Sequence, residues 1–106
     1  MSTAKIKQHD TARSLEDTLQ FGGTAIDLTG CAVSCIIKHT ESAITIYREA
    51  TIVDAPAGRV RFDIQPGDTD VAGTYRVEWE IVFPSGKVLT VPDDSYHTLH
   101  ILRDLG

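Results

Sequence analysis

An all-β protein made of two stacked sheets is the fold class the sequence predicts. Three observations predict it. Apolar side chains recur with a period of two, Gly- and Pro-rich turn signals return at intervals of roughly 8–12 residues, and no capped helix of useful length is present. The elements follow in chain order. Residues 5–9 read as a short first strand within an N-terminal arm over residues 1–14. A single domain is expected over residues 15–106. Residues 15–21 form a weaker strand with Leu15, Leu19 and Phe21 in phase, ending at Gly22-Gly23.

Residues 26–30 lead into a strand over residues 31–38, in which Cys31, Val33, Cys35 and Ile37 share a face. Residues 42–53 continue as a strand with Ile44, Ile46, Ala50 and Ile52 in phase. Arg48 interrupts that phase, so a bulge or break is expected there. A turn at residues 55–58 precedes a strand in which Val60, Phe62 and Ile64 face inward. Residues 65–70 form one helical or 3₁₀ turn at most.

The clearest run is TYRVEWEIVF at residues 74–83. Tyr75, Val77, Trp79, Ile81 and Phe83 point one way, while Thr74, Arg76, Glu78 and Glu80 point the other. It carries the chain's single Trp, which makes it the expected central strand. Pro84 and Gly86 set a hairpin into a strand over residues 87–91. Residues 92–95 break the pattern, and a last strand runs from about residue 96 to 102. About seven to eight short antiparallel strands result. One sheet of this size would leave an apolar face in water, so two facing sheets are expected. The expected core includes Val33, Phe62, Tyr75, Val77, Trp79 and Ile81.

Tyr75 sharpens the class. In immunoglobulin-like sandwiches a Tyr near the start of the sixth strand bonds backbone a few residues upstream, and a Cys follows two residues later in antibody domains. Here that position is Val77. The prediction is an immunoglobulin-like β-sandwich without the antibody disulfide. The two cysteines cannot substitute for it. Cys31 and Cys35 in one extended strand lie roughly 13 Å apart, whereas a disulfide needs Cα atoms within about 7 Å. Two free thiols are expected, which points to a reducing compartment.

Formal charge is −5. Lys5, Lys7 and Arg13 are interleaved with Asp10, Glu16 and Asp17, so no basic stripe exists for phosphates or anionic membranes. No apolar run has the roughly 20 residues of a membrane helix, and no secretory signal is visible. Neither nucleic acid nor membrane is an expected partner.

Residues 24–33, TAIDLTGCAV, resemble the "piDLTGatV" opening of the immunoglobulin-like N-terminal domains of phage baseplate upper proteins and related tail proteins. The hairpin Ala50-Thr51-Ile52-Val53-Asp54 with Ala57-Gly58-Arg59-Val60 is similar to theirs. So are the Asp68-to-Tyr75 corner and the Gly86-Lys87-Val88 and Val91-Pro92 strand. The resemblance spans roughly residues 15–101. Cys31 and Cys35 depart from it, replacing small and apolar or aromatic residues. It implies a structural module of a phage or prophage tail or baseplate, assembled in the bacterial cytoplasm. Such a module acts through other tail or baseplate proteins or as a homo-oligomer.

Residues able to carry chemistry read as structural ones. His97 and His100 fall on opposite faces of one strand and cannot chelate together. His9 and His39 are expected to be ordinary histidines. Glu78 and Glu80 read as a solvated face, and Asp68, Asp70, Asp93 and Asp94 as turn residues without a calcium loop. No catalytic, metal or cofactor site is expected. Tyr47, Val53, Val82 and Val88 fall on outward phases and are the candidate interface. The alternative reading is a carbohydrate-binding or adhesive module using Tyr47 and Tyr96 as platforms.

Overall fold

The computed structural model describes residues 3–92 and 97–104. Among the described residues there is no helix, and the strands are β1 (Thr3–Lys7), β2 (Ser14–Thr18), β3 (Gln20–Phe21), β4 (Thr24–Ala25), β5 (Ala32–His39), β6 (Thr45–Glu49), β7 (Thr51–Asp54), β8 (Arg59–Asp63), β9 (Gly73–Val82), β10 (Val88–Val91) and β11 (His97–Leu102). One sheet has the order β1-β11-β9-β5-β6, with β10 also on β9; a second has the order β2-β8-β7; β3 and β4 pair with each other.

This is the strand order of an immunoglobulin-like sandwich, with β2, β7 and β8 facing a sheet centred on β9. The expected count of seven to eight needs a correction, since eleven strands are present among the described residues. The excess comes from the two-residue β3/β4 ladder and from residues 42–53, which form two strands, β6 and β7, rather than one. The pairing is not purely antiparallel either, because β1 runs parallel to β11.

The continuous strand expected over residues 42–53 is also corrected. β6 pairs with β5 in the first sheet, and β7 pairs with β8 in the second. The chain changes sheets at Ala50, two residues beyond Arg48, and Ala50 still donates its N–H to Val33 O at 2.8 Å. The in-phase apolar pattern simply runs across that crossover. Phe21 is a further correction: it sits in the β3/β4 ladder and is 51% exposed, while Leu15 and Leu19 are buried.

The core draws on both sheets. Val33, Cys35 and Ile37 of β5, Tyr75, Val77, Trp79 and Ile81 of β9, and Leu99 and Ile101 of β11 meet Leu15 of β2 and Val60 and Phe62 of β8. Each fully buried large apolar side chain contributes about 1.5–3 kcal/mol relative to an exposed one, and β9 supplies Tyr75, Val77, Trp79 and Ile81. Leu28, in the Asp27-Leu28-Thr29-Gly30 loop, is fully buried. Asp27 Oδ1 accepts from Thr29 N at 3.0 Å and Thr29 Oγ1 at 2.6 Å, which fixes the loop that drives Leu28 inward. Those Thr29 bonds, side chain first, hold the Asp27 carboxyl below its ordinary pKa.

Candidate functional site

The corner before β9 is built first. The Tyr75 hydroxyl donates to Val71 O at 2.6 Å, and burial pushes its pKa up. The His39 ring meets Tyr75 edge-on, with centroids 4.7 Å apart and planes at 85°. His39 Nδ1 accepts from Glu41 N at 3.0 Å, which leaves Nε2 to face Ala72 O at 3.4 Å. Gly73 has φ +142°, and a Cβ there would lie 2.5 Å from His39 Nε2. The corner therefore has structural rather than chemical content.

Polar side-chain pairs bridge the sandwich at both of its open sides. At the β6 side, Arg48 reaches Asp68 with Nη1 at 3.1 Å and Nη2 at 2.7 Å, and Nη2 also donates to Asp63 O at 3.2 Å. Its guanidinium lies 4.5 Å from the Phe62 ring centroid. Burial pushes the Asp68 carboxyl up, but the Arg48 hydrogen bonds and the Gln65 N–H outweigh burial and leave it below its ordinary pKa. At the β2 side, His97 Nε2 lies 2.5 Å from Asp17 Oδ2, joining β11 to β2.

Beside that pair, a cleft of about 140 Å³ is lined by Leu15, Val77, Trp79 and Leu99 together with Asp17 and His97. Trp79 Nε1 is buried with no protein acceptor among the described residues. Glu16, Thr3 and Thr98 also line the cleft, and of its two carboxylates Asp17 is engaged with the His97 imidazole.

Both cysteines are free thiols. Burial pushes the Cys35 thiol up to about 12, opposed in part by the Arg48 cation. Cys31, half-buried, is raised by burial and by nearby Asp27. Neither is in the electropositive, accessible setting that makes a thiolate nucleophile. Among the described residues, no three His, Cys, Asp or Glu side chains converge as a metal would require. His9 pairs with Asp70 at 3.2 Å on the surface, and His100 Nδ1 lies 3.2 Å from Thr74 Oγ1. Asp93, Asp94 and Tyr96 lie outside the described residues.

The four outward apolar residues do not form one patch. Val82 of β9 and Val88 of β10 are register partners and share a row with Ala32 of β5. Tyr47 of β6, 58% exposed, lies on the same outer face opposite Ile36, and its hydroxyl donates to Glu80. That carboxylate raises the Tyr47 pKa. Val53 is elsewhere: it is the extra residue in the β7 bulge, on the other sheet. The charges on the Tyr47 face, which sequence reading did not group, are sorted by sign. Glu49, Glu78 and Glu80 lie toward the Val82 end; Lys5, Lys7, Lys38 and Arg76 lie toward the opposite end. Only the registers of several strands reveal this order.

Compared with models of known protein families and with curated protein sequences, the chain matches none.

Proposed function

We propose that this chain is a non-enzymatic structural or adaptor module of a phage or prophage tail or baseplate, working through protein–protein contacts. One observation carries the reading. Cys35 is buried, and Arg48–Asp68 and His97–Asp17 are pairs that hold the sandwich together. What the surface offers is a broad sheet face of mixed apolar and charged character. The D-L-T-G loop, the Gly58 hairpin and the Tyr75 corner, which carry the resemblance to tail proteins, each do definable work in holding the sandwich.

A sugar platform is less well supported. The exposed aromatic side chains among the described residues are Phe21 and Tyr47; they lie on different ladders, and the Tyr47 hydroxyl is occupied by Glu80.

The test is genetic. Deleting the gene from its phage or prophage should give particles with missing or unstable tails in electron micrographs, and a plasmid copy should restore them. Normal infectious particles from the deletion strain would contradict the proposal.

A further inference from the structure

Deepening the assembly reading and resting on it, we propose that the outer face of the large sheet docks a second copy of this chain. The two copies are related by a two-fold axis that crosses the strands between Arg76 and Glu78. The strand registers define rows on this face. Thr98, Arg76, Lys38 and Thr45 form one row; Glu78, Ile36 and Tyr47 form the next; Thr90, Glu80, Ser34 and Glu49 follow; Val88, Val82 and Ala32 end the series. The boundary between basic and acidic halves falls between the first two of these rows.

Of the two-fold axes that lie in the plane between stacked faces, one along the strands sets Glu rows on Glu rows. One across the strands sets the Glu78 row on the row of Arg76 and Lys38. With the axis at the boundary, Glu78 of each copy meets Arg76 of the other, so the contact occurs twice, as an isologous interface requires. The same operation lays β10 over β11. Val88, 58% exposed, then meets Leu102, 42% exposed, and Thr90 meets His100. The charge and the apolar ends thus agree on one axis.

Net charge supports the choice of face. The chain as a whole carries −5, which opposes self-association. This face sets Lys5, Lys7, Lys38 and Arg76 against Glu49, Glu78 and Glu80, close to balance. Its extent suffices too. The 38 strand residues of this sheet, at about 4.8 Å by 3.3 Å each, cover roughly 600 Å², at the lower end of what one partner contributes to a specific interface.

Sedimentation equilibrium on the intact chain at low salt tests the proposal. Wild type should dimerise, more weakly as salt rises. Arg76→Glu and Glu78→Arg should each weaken association by about tenfold or more, since each sets like charges together twice. An equimolar mixture of the two variants should restore the dimer, because the acidic pair at positions 76 and 78 of one variant then faces the basic pair of the other. Far-UV circular dichroism checks that each variant is folded. A monomeric wild type, single variants that dimerise like wild type, or a mixture that stays monomeric would each overturn it. Such a failure removes self-docking alone, because the deletion phenotype tests the assembly reading without reference to a dimer.

Discussion

At Gly73 the absence of a side chain does structural work. Its φ of +142° and the 2.5 Å approach of a would-be Cβ to His39 Nε2 both exclude larger residues. Gly73→Ala should destabilise the fold by about 2 kcal/mol or more in urea titration. Adding His39→Ala should recover only part of that, since it relieves the clash and not the backbone strain. Wild-type stability for Gly73→Ala would contradict this picture of the corner. Cys35 makes a second residue-level prediction. With its pKa raised to about 12, the thiolate fraction at pH 8 is roughly one in ten thousand, and the sulfur is also buried. A disulfide reagent should modify Cys35 only as fast as the domain opens, and at once in denaturant. Rapid labelling in the native state would place it elsewhere.

Among elements, the β6 edge depends on Arg48 and Asp68. The Asp68 carboxyl is depressed in the fold, so its contribution is present above the ordinary Asp pKa of about 3.9 and is lost as pH falls through the lower folded value. Asp68→Asn should lower stability by about 1–3 kcal/mol near pH 7. The gap to wild type should close in acid below about pH 4. A gap that is constant with pH would show that the pair contributes nothing through charge.

Sequence legibility differs among the elements for physical reasons. β9 is readable because each of its inward residues is buried and each neighbour is not. The sheet change at Ala50 is not readable, because Ile46, Ala50 and Ile52 keep one phase while the backbone moves to a different partner. β1 pairs in parallel with a strand at the far end of the chain, and local alternation carries no information about such partners. The same limit hides Arg48–Asp68 and Asp17–His97. Arg48 reads as an interruption of a strand, although its guanidinium closes the edge over Phe62. Phe21 misleads because the Gly22-Gly23 turn pairs it with Thr24, in a short ladder separate from the core sheets.

Over the whole molecule, packing and surface divide the work. A radius of gyration of 13.9 Å matches the roughly 13 Å expected for a domain of about 100 residues. The core joins both sheets around Trp79, and the Arg48–Asp68 ion pair and the His97–Asp17 contact bridge the two open sides. That leaves the sheet faces and strand edges to carry any specific task. The outer face of the large sheet combines exposed Tyr47, Val82 and Val88 with charges sorted by sign, which is what an assembly surface needs. The most direct test of this account is quantitative mass spectrometry of tailed particles purified from the strain that encodes the chain and washed in high salt. The account predicts this chain in fixed ratio to the tail proteins; its absence from the washed particles would contradict it.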